Sequence, residues 1–246
     1  MAAIKSMAGS KNRQIIVPAI FHVLLVCLMA VPAFITLQAV NTINWTNFLL
    51  IIFWQFLLTQ VYLLFSKQKE LTLIKNMIVL GVVEVALFAM LIFSPVTILA
   101  KGLLFLQWLL IHLVIGTHNL LPVLPPLFIA MEMVIMQNIV EMANAQVLLT
   151  GLGLIKFLFY LAVFSWLSSL FMDYRSEGVE IAGKKSNSAR MMKLLASFAV
   201  TVLIIAIAAS FIIPDSLNGQ TIALIIISLV MMIYSLFLKK KGLYNI

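Results

Sequence analysis

Residues Trp45 to Phe65 read WTNFLLIIFWQFLLTQVYLLF, a run of 21 residues without a charged side chain. A helix of this length rises about 30 Å at roughly 1.5 Å per residue, which matches the hydrocarbon thickness of a bilayer. Lipid offers no hydrogen-bond partner to backbone N–H and C=O groups, and a helix satisfies these groups internally. The segment therefore predicts a transmembrane helix.

Apolar segments of similar length recur on both sides of this one. The eight predicted spans are residues 15–40, 45–65, 73–93, 98–118, 121–141, 147–172, 191–213 and 221–238. The first apolar segment is longer than the roughly 7–15 residues of a signal-peptide core, so it is expected to be a retained span. The expected fold is a single all-α, polytopic membrane domain over residues 1–246.

The composition indicates a lipid environment. Hydrophobic residues make up 64% and charged residues only 10%, against about 45–50% and about 25% in soluble domains. The net charge of +8 does not indicate nucleic acid, because the basic residues flank apolar segments and are not interleaved with aromatic residues. The single cysteine, Cys27, excludes an intrachain disulfide and a CxxC motif.

The basic residues predict the orientation. All but Lys101 and Lys156 of the 16 Lys and Arg residues lie before span one, after span eight, or in the connections two–three and six–seven, counting Lys75 and Lys193 in the first residues of spans three and seven. Cytoplasmic connections carry such an excess. We therefore expect both termini in the cytoplasm of a multi-pass protein, most simply one of a bacterial cytoplasmic (inner) membrane.

The segment from Ser94 to Pro126 permits two arrangements. Lys101 interrupts the start of span four, and Pro122, Pro125 and Pro126 disfavour a continuous helix. A tight hairpin and a re-entrant pair both fit. The hairpin is preferred, because proline is common at helix starts.

Catalytic motifs are absent from the sequence. It contains no HExxH, GxSxG, Walker A or EF-hand pattern. We therefore predict no catalytic residue, no metal site and no cofactor, and an enzyme acting on lipid is the least supported class. Trp54, Trp108 and Trp166 are expected to be packing residues.

Three charged residues lie near the middle of spans. Glu84 is in span three, Glu132 in span five and Lys156 in span six. A charge at this depth costs about 2.5–3.5 kcal/mol on insertion scales, so each should face the protein interior. Glu132 and Lys156, on adjacent antiparallel spans, are predicted to form an ion pair. Glu84 is expected to be protonated or to share Lys156.

These residues define a candidate substrate or ion pathway within spans two to six. It comprises Glu84, Glu132, Lys156, His112, Gln107 and Gln55. The ion pair has two interpretations, a proton or ion relay and a structural clamp between helices. Spans seven and eight lack ionisable residues between Lys193 and Lys239 except Asp215, which predicts a lipid-facing hairpin or a packing surface.

The connection 173–190 is a candidate partner contact. Its charged residues include Arg175, Glu177, Lys184 and Lys185. This connection could bind a cytoplasmic subunit such as an ATPase or the anionic headgroups of lipids. It could equally be a loop that only sets the topology.

Two functions remain open from the sequence. The first is a transporter or permease subunit of a multi-component transport system. The second is a non-catalytic assembly, immunity or scaffold subunit of a membrane complex.

Overall fold

The computed structural model describes residues 2–39, 43–65, 72–117, 124–145, 153–177, 185–213 and 217–240. Within them the chain forms helices and no strand. The helices are α1 (Ala2–Ala39), α2 (Trp45–Phe65), α3 (Met77–Phe93), α4 (Ile98–Thr117), α5 (Leu124–Ala145), α6 (Gly153–Glu177), α7 (Lys185–Ile212) and α8 (Gly219–Lys240). Seven contain segments long and apolar enough to cross a membrane, and α3 is a shorter apolar helix of 17 residues. The chain is an all-α polytopic membrane protein, as predicted.

Side-chain caps fix several helix starts. The Asn76 side chain accepts hydrogen bonds from the first backbone N–H groups of α3, at 3.0 and 3.3 Å. The Asn218 side chain accepts one from Thr221 N at 3.0 Å, at the start of α8. These contacts satisfy amides that have no partner within the helix. The α5 helix begins at Leu124 and has Pro125 and Pro126 in its first turn, where missing N–H groups are tolerated.

Several helix bounds differ from the predicted spans. The α1 helix begins at Ala2 and α3 begins at Met77. Residues 147–152 of predicted span six lie outside the described residues. The described part of α6 extends from Gly153 to Glu177, and α7 begins at Lys185. Much of the predicted loop 173–190 is therefore helical. Polar residues prolong both helices beyond the apolar segments, and the sequence prediction used only the apolar length.

The helices α5 and α6 lie at the centre of the packing. The α5 helix contacts α1, α2, α4 and α6, whereas α6 contacts α5, α7 and α8. Because α4 and α5 pack against each other and each contains a segment long enough to cross a membrane, the structure favours two spans in a hairpin over a re-entrant pair. Residues 118–123, including Pro122, lie outside the described residues.

Helices α7 and α8 do not form the predicted hairpin with each other. In the described residues α7 packs along α6, whereas α8 packs against α1 and α6. Small buried residues, Ser165 and Ser169 on α6 and Ala199 and Ala206 on α7, suit the close approach of α6 and α7. Serine and alanine here favour contact between helices over contact with lipid.

Large apolar side chains cover the outer surface. On α3, Ile78 is 79% exposed and Phe93 is 87% exposed. Exposed residues of α7 include Ile204, Phe211 and Ile212. An apolar surface of this kind suits hydrocarbon, so these faces contact the bilayer.

The turn around Pro32 connects α1 to three other helices. Proline has no N–H, so the Leu28 carbonyl lacks its usual donor four residues later. Three side chains from other helices donate to carbonyls of this turn: Tyr160 to Leu28 at 3.4 Å, Gln137 to Met29 at 2.7 Å and Gln220 to Pro32 at 3.1 Å. Helices α5, α6 and α8 thus hold α1 by its backbone.

Candidate functional site

A buried polar cluster joins the middles of α2, α4 and α5. Gln55 Nε2 donates to Glu132 Oε2 at 3.0 Å, and Gln107 Nε2 donates to Glu132 Oε1 at 2.8 Å. Gln107 Nε2 also contacts Gln55 Oε1. All three side chains are buried, and Glu132 is only 1% exposed. The structure therefore brings together three of the predicted pathway residues.

Trp54 completes this cluster. Its indole Nε1 donates to Gln107 Oε1 at 3.0 Å, and its ring contacts Phe88 with centroids 5.6 Å apart. Trp54 and Gln55 both lie on the buried face of α2. The sequence predicted Trp54 to be a packing residue only, since a tryptophan in an apolar segment does not reveal where its N–H points.

Glu132 has no cationic partner in the described part of the chain. Its two carboxylate oxygens accept hydrogen bonds from neutral amides. A carboxylate offers about four acceptor positions, so it retains capacity for a further ligand. Burial of an unpaired negative charge is costly. The site therefore favours binding of a proton or of a cationic group.

Glu132 lines a cavity between five helices. The cavity encloses about 500 Å³, its open mouth included. Its lining residues are Phe21, Leu25, Gln55, Thr59, Tyr62, Leu63, Ile111, Ile129, Glu132, Met133, Phe164, Leu167 and Ser168. They come from the first half of the apolar segment Ala19–Gln38 of α1 and from the first half of α5, and from the middle and second half of α2, α4 and α6. The cavity therefore extends from Glu132 toward the end of the bundle with the basic connections.

The predicted ion pair between Glu132 and Lys156 is wrong. Lys156 Nζ lies 2.9 Å from Glu141 Oε1, and both side chains are buried. Lys156 lies in the first turn of α6 because that helix begins at Gly153. On the antiparallel helix α5, the residue beside this first turn of α6 is Glu141, near the end of α5. Glu132 lies about 13 Å further along the α5 axis at roughly 1.5 Å per residue.

Lys156 instead belongs to a second buried polar layer, on the other side of Glu132 from the cavity. Gln137, one turn before Glu141 on α5, donates to Tyr160 Oη at 3.1 Å. Tyr160 lies one turn after Lys156 on α6. Tyr160 was not among the predicted site residues, although its four-residue spacing from Lys156 places both side chains on one face of α6.

Glu84 and His112 form a separate group between α3 and α4. Glu84 Oε1 accepts a hydrogen bond from Trp108 Nε1 at 2.9 Å and lies 3.5 Å from His112 Nε2. His112 Nδ1 lies 2.8 Å from the Trp108 carbonyl, and the His112 side chain is 39% exposed. Neither acid nor imidazole lines the cavity. Glu84 therefore does not share Lys156, which excludes one of the two alternatives predicted for it.

The structure describes three of the four residues predicted to contact a partner. Arg175 and Glu177 lie in the last turn of α6, and Lys185 is the first residue of α7. Lys184 lies outside the described residues. The role of these four residues as a contact for another subunit stays a prediction.

The described residues contain no group of three or more His, Cys, Asp or Glu side chains placed to hold a metal ion. The chemistry available at Glu132 is thus exchange of a proton or binding of a cation, with neutral amides holding the carboxylate in place. No family model, curated protein or solved structure matches this chain.

Proposed function

We propose that this protein is a transporter, or the permease subunit of a multi-component transport system, whose polar site is centred on Glu132. One observation supports the proposal above the others. A buried carboxylate without a cationic partner lies at the inner end of a cavity between five helices. An ionisable residue facing a cavity inside a membrane protein is typical of a substrate or ion pathway.

The second polar layer of the same protein provides a comparison. Glu141 is paired with Lys156 at 2.9 Å and does not line the cavity. Such a pair suits a clamp that holds two helices. Glu132 differs in both respects, because it faces the cavity and its partners are uncharged. We therefore assign the transport role to Glu132, Gln55 and Gln107, and the clamp to Lys156 and Glu141.

The orientation proposed from the basic residues indicates toward which side of the membrane the cavity opens. Cytoplasmic connections carry the excess of Lys and Arg, and the cavity extends toward that end of the bundle. We propose that it faces the cytoplasm and that both chain ends lie there. Reporter tags fused to the two ends are expected to report from the cytoplasm, and a tag reporting from the other compartment would contradict this topology.

Transport requires access to Glu132 from both sides of the membrane in turn. The test introduces Met133→Cys, next to Glu132 in the cavity lining, into a Cys27→Ala background without other cysteines. A small, membrane-impermeant thiosulfonate reagent is added to right-side-out and to inverted vesicles. The engineered thiol is expected to react in both preparations.

The matched control is Ser165→Cys, since Ser165 is fully buried and does not line the cavity. Its thiol is expected to remain unreactive in both preparations. Reaction of the Met133→Cys thiol from one side only, or from neither, would contradict a transport role.

A non-catalytic assembly, immunity or scaffold subunit is the second candidate function. The observation that favours it is the double hydrogen bonding of Glu132, because Gln55 and Gln107 alone would hold α2, α4 and α5 together. This alternative predicts that the Met133→Cys thiol reacts from at most one side. It also predicts a stable complex with other subunits after gentle detergent extraction, with contacts at Arg175, Glu177, Lys184 and Lys185.

A further inference from the structure

We infer that the cavity at Glu132 binds a monovalent organic cation with an apolar body. This inference names the substrate class and so rests on the proposed function, but it concerns equilibrium binding and is tested without transport. It is carried by the juxtaposition of one buried carboxylate with an apolar and aromatic lining.

The charge of the lining sets the sign of the ligand. Among the described residues that line the cavity, Glu132 is the acidic one and none is Lys, Arg or His. Tyr62, on α2, is the other titratable residue there. Lys156 is neutralised by Glu141 at 2.9 Å and lies in the second polar layer. An anion would therefore meet a carboxylate and no compensating cation.

The chemistry of the walls sets the character of the ligand. Most lining residues are apolar, and Phe21, Tyr62 and Phe164 are aromatic. Aromatic faces attract cations, and more strongly where water is excluded. Ca²⁺ and Mg²⁺ take six or more oxygen ligands, and the described lining offers one carboxylate with a few amide and hydroxyl oxygens. An organic cation fits better, because it carries its own apolar surface.

The hydrogen bonding of the cavity prepares its carboxylate for such a ligand. The amides of Gln55 and Gln107 hold the two carboxylate oxygens, which orients Glu132 before a ligand binds. Preorganisation of this kind lowers the entropic cost of binding.

The test uses tetraphenylphosphonium and tetraphenylborate, two ions of similar shape and opposite charge. Binding to the full-length protein in detergent is measured by equilibrium dialysis against protein-free micelles. We expect saturable binding of tetraphenylphosphonium and none of tetraphenylborate. Glu132→Gln should weaken phosphonium binding about tenfold or more, since the substitution removes the negative charge but leaves a side chain of similar shape.

Glu84→Gln is the matched control, because Glu84 is a buried carboxylate outside the cavity that accepts a hydrogen bond from Trp108. It should bind tetraphenylphosphonium as the unsubstituted protein does. If Glu132→Gln does not fold, Phe164→Leu keeps the carboxylate and removes one aromatic face, and it should weaken binding about threefold or more. Bound tetraphenylphosphonium should also slow labelling of the Met133→Cys thiol.

Equal binding of both ions, or equal phosphonium binding by the Glu132→Gln and unsubstituted proteins, would overturn the inference. Labelling of the Met133→Cys thiol from both sides together with no phosphonium binding would overturn the ligand class alone and leave transport supported. Phosphonium binding that depends on Glu132, combined with one-sided labelling, would uphold the ligand class and contradict transport.

Discussion

Removal of Lys156 should destabilise the fold strongly, because the buried carboxylate of Glu141 loses this ion-pair partner. The Lys156 Nζ and Glu141 Oε1 atoms are 2.9 Å apart, and the two side chains are 3% and 1% exposed. At an effective dielectric constant of about 20, two unit charges at this distance attract each other by roughly 6 kcal/mol. Desolvation offsets part of this attraction, so Lys156→Met should cost about 3–5 kcal/mol.

The measurement is the free energy of unfolding in mixed detergent micelles, with increasing dodecyl sulfate. The double variant Lys156→Met with Glu141→Gln removes both charges, and it should recover all but about 1 kcal/mol of the loss. Glu141→Gln alone leaves the buried Lys156 without this carboxylate and should also destabilise the fold, so the coupling energy between the two positions should exceed about 2 kcal/mol. Purely additive effects, or a cost below about 1 kcal/mol for Lys156→Met, would refute the assignment of a buried ion pair.

Two further predictions concern hydrogen bonds between helices. Tyr160→Phe should lower the free energy of unfolding by about 0.5–1.5 kcal/mol. The loss should be smaller in a Pro32→Ala background, where residue 32 regains an N–H for the Leu28 carbonyl. Equal losses in the two backgrounds would contradict the role of Pro32. Trp166→Phe should lower the free energy of unfolding by about 0.6 kcal/mol, since Trp166 Nε1 donates to Ser235 Oγ at 2.9 Å. Ser235→Ala should cause a similar loss, and the double variant should lose no more than either single variant. Fully additive losses would count against this hydrogen bond.

The helices could be predicted from the sequence because bilayer thickness sets their length. The α2 helix begins at Trp45 and ends at Phe65, as predicted. Residues 147–152 were assigned to span six, which placed Lys156 near the middle of that span. In the structure Lys156 is the fourth residue of the described helix α6, which begins at Gly153, and its ion-pair partner on α5 is Glu141.

The residues of the site could be predicted individually from the sequence, but the contacts between their side chains could not. A polar residue within an apolar segment is recognisable from the sequence, and Gln55, Gln107 and Glu132 were identified in this way. Their contact depends on how α2, α4 and α5 rotate and pack, which apolar length does not specify. Trp54 and Tyr160 were missed as hydrogen-bonding residues because an aromatic side chain in such a segment also suits plain packing.

The hydrogen bond from Gln220 to the Pro32 carbonyl has a consequence for biosynthesis. Its two residues are 188 positions apart in the chain, so α1 enters the membrane long before the ribosome has made α8. Until then the Pro32 carbonyl lacks this donor, and the α1 surface that later receives α8 faces lipid or an insertion factor. A nascent chain arrested before α8 should therefore be degraded faster than one arrested after it.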